Sequence, residues 1–455
     1  MVQPEALPAE ILLLILQHIR TDRQQSPPTF FDLADWTKDA TESKRCSERT
    51  RTLRSLMLTS RHLYALAKPF FYRNILVPQW NIRKRKHLTW QFHQSISRNP
   101  ELTQYIHSAI INTAHFKGYD PSIPVWGGGW QLAVYPTPDT SGSTAPELCA
   151  LLRALFFTSP HLQHLTIVGF NAWDALLNAA GAGAGAPELL PTGTSPLTHL
   201  TLPKCGAKEP ALASLLAWPR ALQSLHYDAV TVAWGSHYHE HARSPSEEAP
   251  WTSAAFVRSL QLQKASLTEL SITRPAPEHE GLTEGPRVDL SGFPALRVLR
   301  TLDVFLVGTE DAVDAWRGLP PHLEVLEVFY DDTGYEGGRL FEGYPADDGF
   351  VEGDEQGHGG VDEAELEQWW RWQWLRALLE QRAAASFPNL KTVRLYTPED
   401  EPGHWDDRDG RGKGRLWALP RIIHDLATQA GVEVEVWINV GYPAKRIDYD
   451  AMDIL

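Results

Sequence analysis

Pro196-Leu-Thr-His-Leu-Thr-Leu202 carries the pattern that decides the fold: a leucine, an apolar residue three positions later, and another two positions after that. The last two apolar residues of this L-x-x-L-x-φ motif, where φ is apolar, point to the same face of a β-strand. Pro196 stands directly before the motif and supplies a turn element. The motif therefore predicts a short strand with one buried face.

The same motif recurs along the chain and indicates an internal repeat. Clear copies begin at Leu162, Leu197, Leu222, Leu267, Leu323 and Leu390. A blurred copy in Leu296–Val304 allows two registers, one starting at Leu296 and the other at Leu299, and Leu102–Ile111 is a candidate first copy. Helical stretches between the strands are predicted at 146–157, 251–261 and 362–386. The strict alternation of Val432–Trp437 predicts a final or edge strand of the same sheet.

One strand and one helix per stacked unit is the leucine-rich-repeat plan, so the fold class expected is α/β with a parallel sheet. Successive first leucines are separated by 25 to 67 residues, whereas regular repeats run about 20–29 residues. The body therefore resembles divergent leucine-rich-repeat proteins and is predicted to be an irregular solenoid with insertions. An α/β domain whose parallel strands are unrelated remains the alternative.

The N-terminal helix predicted at Ala9–Arg20 is apolar on nearly every side. Since a surface helix keeps an apolar stripe only toward its core, this helix needs cover on two sides, and a partner is the expected second cover. Helical spacing returns at Leu53 and Leu56. Ser60 is predicted to cap a further helix that ends at Pro69.

These segments, LPAEILLLILQHI and LRSLMLTSRHLYALAKPFFYRNI, resemble an F-box, a three-helix motif. The resemblance implies binding to the Skp adaptor of cullin-RING ubiquitin ligases. The residues expected at that contact are Leu7, Pro8, Glu10, Ile11, Ile15, Leu53, Leu56 and Pro69. One departure is residues 21–50, a polar insertion where family members have a short loop. The alternative is a plain helical cap on a solenoid.

Two domains are expected: a helical head at 1–80, carrying the insertion at 21–50, and a repeat body at 81–455. The resemblance implies a non-catalytic adaptor that binds the Skp adaptor and a cullin scaffold through its head and a target protein through its body. A repeat scaffold with no ligase role is the alternative. An enzyme on an α/β sheet ranks below both, because no nucleophile, base or phosphate-loop motif occurs.

Charge is unevenly distributed along the chain. The net charge of −14 excludes a general nucleic-acid binder. Residues 1–100 hold 16 Lys and Arg against 8 Asp and Glu, whereas residues 331–367 hold 13 acidic residues and one basic residue. The acidic segment is expected to be solvated surface, or else to steer a basic partner.

Other features bound the location and the chemistry. Three distant cysteines favour a reducing compartment, and no apolar run is long enough for a membrane span, so an intracellular protein, cytoplasmic or nuclear, is predicted. No cofactor or metal is expected, although His237, His239 and His241 are the best candidate ligands. The tryptophans of one predicted helix, Trp369, Trp370, Trp372 and Trp374, belong either to the core or to a binding surface.

Overall fold

The computed structural model describes part of the chain, in separate segments. These segments are residues 12–14, 16, 52–77, 80–81, 86–112, 155, 158–168, 192–205, 209–229, 253–273, 287–307, 312–330, 370–397, 415–417 and 419–438. The described residues fall into two compact units. The first holds those up to Pro203 together with Trp218–Arg220, and the second holds Lys204–Ala217 and those from Ala221 onward.

Helices open the first unit. Residues 12–14 and 16 are helical, as are residues 52–59. Helix α1 then spans Arg61–Phe71, and the Ser60 side chain accepts a hydrogen bond from the Leu63 backbone N–H at 3.2 Å. This is the N-cap predicted from the sequence. The predicted end at Pro69 is wrong, because the helix continues two residues further, to Phe71. Near a C-terminus, the N–H that proline lacks costs only one of the last helical hydrogen bonds.

The first unit continues with four strands, each parallel to its neighbour, in the order β1 (Asn74–Val77), β4 (Ser108–Asn112), β5 (His164–Val168) and β6 (His199–Cys205). Between β1 and β4 lie a short antiparallel ribbon, β2 (Trp80–Asn81) with β3 (Lys86–His87), helix α2 (Leu88–Arg98) and a 3-10 helix (Pro100–Tyr105). The Leu102–Ile111 copy has its register here, because Ala109 pairs with Leu165 and Ile111 with Ile167.

The described residues of the second unit form seven strands. Six run parallel in the order β7 (Ser224–Ala229), β8 (Glu269–Thr273), β9 (Val298–Leu302), β10 (Val325–Phe329), β11 (Thr392–Thr397) and β13 (Glu433–Ile438). The short β12 (Arg415–Trp417) lies antiparallel beside β13 and occupies the last place in the order. The strand predicted at 432–437 is thus confirmed as β13, and β12 is its outer neighbour.

The register of the blurred copy follows from its neighbours. Leu299 pairs with Leu270 of β8 and with Leu326 of β10, so the motif runs from Leu296 through Leu299 to Thr301. Thr301 is 3% exposed and takes the position where the other copies carry an apolar residue. The register starting at Leu299 is therefore wrong. The copy matches the motif poorly because a buried threonine takes the place of its last apolar residue.

Five α-helices are described in the second unit. They are α3 (Glu209–Ala217), α4 (Ser253–Leu260), α5 (Asp303–Val307), α6 (Trp370–Ala383) and α7 (Arg421–Ala430). The motif leucines Leu267, Leu323 and Leu390 are fully buried. Trp372 and Trp374 of α6 are also buried, and the Trp374 indole N–H donates to the Tyr330 hydroxyl at 3.2 Å. These two tryptophans therefore belong to the core.

A buried amide joins consecutive parts of the second unit. The Gln263 side chain, 2% exposed, donates to the Leu216 carbonyl at 2.7 Å and accepts from the Leu222 N–H at 2.8 Å. Buried backbone groups need such partners, because an unpaired one costs more than a net hydrogen bond contributes. Gln263 thereby fixes the end of α3 to the turn that leads into β7.

The α/β class with a parallel strand arrangement, expected from the L-x-x-L-x-φ copies, is confirmed. The strands at 164–168, 199–205, 224–229, 269–273, 325–329 and 392–397 each begin two residues after the first leucine of a copy. The boundary expected near residue 80 stays a prediction.

Candidate functional site

The residues expected at the adaptor contact lie partly within the described chain. Leu53 and Leu56 are half-buried in the helical segment 52–59, and Pro69 is half-buried in α1. The other five lie outside the described residues: Leu7, Pro8, Glu10, Ile11 and Ile15. The structure therefore places three of the eight.

Two leucines among the described residues of the head are strongly exposed. Leu12 and Leu16 are 6% and 3% exposed, whereas Leu14 between them is 59% exposed. In the next helical segment Leu58 is 79% exposed. The opening helix thus buries one side within the chain and leaves Leu14 toward solvent, as a helix with apolar residues on several sides would if a partner covered the rest.

A charged and aromatic contact fixes α1 to the rest of the first unit. Lys68 pairs with Glu101 at 3.3 Å, and its ammonium lies 5.8 Å from the Tyr64 ring centroid and 5.7 Å from that of Tyr105. Glu101 and Tyr105 belong to the 3-10 helix before β4. Because β1 follows α1 after only two residues, the head helix and the first strand form one continuous piece.

The second unit carries a row of alternating charges across five neighbouring strands, here called the charge ladder. Its members, in strand order, are Glu269, Arg300, Glu327, Arg394 and Glu435. Arg300 donates through Nη1 to Glu269 and through Nε to Glu327 Oε2 at 2.7 Å. Arg394 donates to Glu327 Oε1 at 3.2 Å and to Glu435 Oε2 at 2.9 Å. Each arginine therefore bridges two carboxylates on adjacent strands.

Burial and charge act in opposite directions on these arginines. Burial alone lowers the pKa of Arg300, but the charges of and hydrogen bonds to Glu327 and Glu269 outweigh it and raise that pKa overall. The pKa of Arg394 is raised in the same way by Glu435 and Glu327. Glu327, at the centre, is only 7% exposed and accepts from both arginines. The neighbouring carboxylates therefore favour the charged form of both arginines.

An aromatic row follows two residues further along the same strands. Phe329, Tyr396 and Trp437 are in register on β10, β11 and β13. The rings of Phe329 and Tyr396 stack at 4.7 Å between centroids. The Trp437 indole N–H donates to Glu435 Oε2 at 3.1 Å, which ties the aromatic row to the ladder. Burial, followed by the charge of Glu327, raises the pKa of Tyr396 to about 12.

The charged and aromatic face of the sheet is not among the features predicted above, although the sequence carries a signal for it. Each ladder residue on β9, β10, β11 and β13 stands between two residues of the apolar pattern, as Arg300 does between Leu299 and Thr301. From β9 onward the charge at that position reads +, −, +, −. Since equivalent positions of stacked strands become neighbours, opposite signs at one repeat position predict a chain of ion pairs.

A histidine pair lies in the first unit. His164 and His199 occupy paired positions on β5 and β6, and their rings stack at 4.3 Å between centroids. Burial, then the neighbouring His199, lowers the pKa of His164 to about 4. The Thr198 hydroxyl lies 2.8 Å from His199 Nδ1. Among the described residues, no three His, Cys, Asp or Glu side chains are grouped so as to hold a metal.

Several sequence-based candidates lie outside the described residues. They are the insertion at 21–50, His237, His239, His241, the acidic segment at 331–367 and Trp369. The Trp370 side chain is likewise not described. Trp372 and Trp374 are core residues, so they do not support the hypothesis that the tryptophan group forms a binding surface.

Comparison with known proteins assigns the chain to no family. A scan against protein-family models finds no match, and a search of the curated proteins finds none. No helix in the described segments has the combined length and apolar character needed to cross a bilayer.

Proposed function

We propose that this chain is a non-catalytic adaptor of a cullin-RING ubiquitin ligase, whose helical head docks on a Skp-type adaptor and whose irregular leucine-rich-repeat-like body holds a target protein. The proposed role needs no catalytic side chain or cofactor in this chain. Its chemistry is proximity, because it holds a target lysine near a carrier that other subunits supply. An intracellular location, in cytosol or nucleus, is part of the proposal.

The exposed leucine of the opening helix is the observation that carries the proposal. Leu14 keeps 59% of its surface exposed while Leu12 and Leu16 are buried. Covering a leucine side chain contributes about 1.5–3 kcal/mol, so a partner helix or groove gains directly from Leu14. Leu58, at 79% exposed, offers the same gain in the second helical segment.

Binding of a purified Skp-type adaptor to the intact chain tests the head. Leu14→Asp combined with Leu58→Asp should abolish co-purification, because each aspartate would have to be desolvated at the contact. The double change Leu7→Ala, Ile11→Asp should do the same. Leu262→Asp is the matched control, since Leu262 is 61% exposed in the second unit. It should bind like the unchanged chain.

Two results would oppose the adaptor role. If the unchanged chain does not bind the Skp-type adaptor, the head is a cap and the chain is an interaction scaffold without a ligase role. If binding survives both head variants, the docking residues are assigned wrongly. Thermal unfolding of each variant separates lost binding from lost folding. At the exposed Leu14 and Leu58, substitutions usually change stability by about 0.5 kcal/mol or less.

A further inference from the structure

The charge ladder begins and ends with a carboxylate. Glu269 and Glu435 are its outermost members, with side chains 34% and 23% exposed. Each gives one oxygen to the ladder: Glu269 Oε1 accepts from Arg300, and Glu435 Oε2 accepts from Arg394 and Trp437. Within the described residues the second oxygen of each has no hydrogen bond. Both ends of the ladder can therefore accept a further cation.

The sequence that follows three strands of this face adds negative charge. Because the strands are parallel, the carboxyl ends of β8, β10 and β11 lie at the same edge, the edge nearest the aromatic row. Of the residues that come after these ends in the sequence, 274–286 include 3 acidic residues and 1 basic, 331–367 include 13 and 1, and 398–414 include 6 and 3. An excess of one sign attracts cationic groups over long range.

Three neighbours of the ladder bear on ligand binding: Tyr396, Trp437 and Ser271. Tyr396 and Trp437 are half-exposed, and aromatic rings attract cations. Ser271, which pairs with Arg300 in register, is 3% exposed, and its hydroxyl has no hydrogen-bond partner in the described part of the chain. A buried hydroxyl without a partner is uncommon, so this row holds a polar position that the described chain leaves incomplete.

We propose that the face formed by β8, β9, β10, β11 and β13 binds a basic, extended segment of a partner protein, with cationic side chains paired to Glu269 and Glu435. Four strand spacings separate these two glutamates, which is about 19 Å. An extended chain rises about 3.3 Å per residue, so the two cations of the partner lie about six residues apart. A residue between them packs on Tyr396 and Trp437.

This inference does not depend on the proposed ligase role, because the face lies in the second unit and uses none of the head residues. Adaptor binding by the head and peptide binding by the face are separate measurements, so either can fail alone.

The test uses the full-length chain and a fluorescent synthetic peptide with two arginines about six residues apart and a leucine between them. Anisotropy should rise on addition of the chain. Peptide affinity should fall as salt rises from about 50 to about 300 mM, because exposed charges are screened. A peptide carrying glutamate for both arginines should not bind.

Glu269→Gln with Glu435→Gln should weaken peptide binding at least about tenfold, corresponding to loss of about 1.4 kcal/mol. The matched control is Glu324→Gln with Glu380→Gln, which changes the net charge equally. Glu324 pairs with Arg297 and Lys391 outside the ladder, and Glu380 pairs with Arg376 on α6. The control should bind the peptide as the unchanged chain does.

Three outcomes would overturn the proposal. The unchanged chain does not bind the diarginine peptide; the two double variants bind it equally well; or the glutamate peptide binds as tightly as the arginine peptide. Self-association of the chain that disappears in the Glu269→Gln, Glu435→Gln variant, without peptide binding, would assign the face to a second copy. If the ladder variant is unstable, the peptide substitutions still decide the question.

Discussion

Replacing the central carboxylate of the charge ladder, Glu327→Gln, should destabilise the second unit by about 2–3 kcal/mol. Glu327 is 7% exposed and accepts from Arg300 at 2.7 Å and Arg394 at 3.2 Å. A hydrogen bond to a charged group contributes about 1.5–3 kcal/mol, and two such bonds set the upper range. The arginines keep 22% and 35% of their side-chain surface exposed, so water compensates about half of the loss.

Urea unfolding followed by tryptophan fluorescence measures this change. The midpoint should fall while the slope of free energy against urea stays constant, because the surface exposed on unfolding is the same. Glu380→Gln is the control: it removes an exposed pair with Arg376 at 3.0 Å and should cost about 0.5 kcal/mol or less. A Glu327→Gln effect no larger than that of the control would refute the stabilising role of the ladder.

A triple change separates lost attraction from unpaired charge. Arg300→Met, Glu327→Leu and Arg394→Met together remove the three central charges and keep comparable side-chain volume. Glu269 and Glu435, which lose their arginine partners, are more exposed than Glu327, at 34% and 23%. Apolar replacement of a buried ionic group is often neutral or stabilising, so the triple variant should exceed Glu327→Gln in stability. A triple variant less stable than Glu327→Gln would show that loss of the ion pairs, and not the presence of unpaired arginines, causes the destabilisation.

Four further outcomes are expected. Burial, then the Arg300 charge, lowers the pKa of His226 to about 3, so the folded state disfavours protonation of this imidazole. The free energy of unfolding should therefore decline as pH falls below about 6.5, by about 1.4 kcal/mol at pH 5.5. The His226→Gln variant should show a flatter dependence of stability on pH. Gly431→Ala should cost about 1 kcal/mol in thermal unfolding, because Gly431 ends α7 at φ 65° and only its backbone conformation, not space, opposes a Cβ. Gln263→Ala should cost about 2–4 kcal/mol in urea unfolding, because the Leu216 carbonyl and Leu222 N–H lose their partner; a neutral result would contradict the bridging role. Thr301→Val should leave stability unchanged or raise it by up to about 1 kcal/mol, whereas a clear loss would contradict its position in the apolar register.

Local patterns predicted the strands well, because the residues that determine each strand lie within the motif copy itself. The L-x-x-L-x-φ spacing of Leu197–Leu202 specifies a turn, a strand and a buried face within six residues, and β6 follows it. The Ser60 cap was equally local, since it depends on one side chain and a backbone N–H three residues later. The blurred copy failed in one register because a buried Thr301 is indistinguishable in sequence from an exposed one.

The face of the sheet was beyond local patterns for a physical reason. The partners of Glu327 lie 27 residues before it and 67 residues after it. Only the pairing of strands brings them together, and the irregular spacing of the copies hides which residues become neighbours. Likewise, nothing near Arg415 marks β12, whose conformation is defined by the neighbouring strand β13.

The three-residue strand Arg415–Trp417 has a consequence for how the protein avoids aggregation. A parallel sheet that ended at β13 would present a continuous six-residue edge with unpaired backbone donors and acceptors, a template for strand addition. The antiparallel β12 pairs with Val436, Trp437 and Ile438 and so interrupts that edge halfway along β13. Further growth of the sheet by strand addition, including assembly into fibres, is thereby discouraged at that edge.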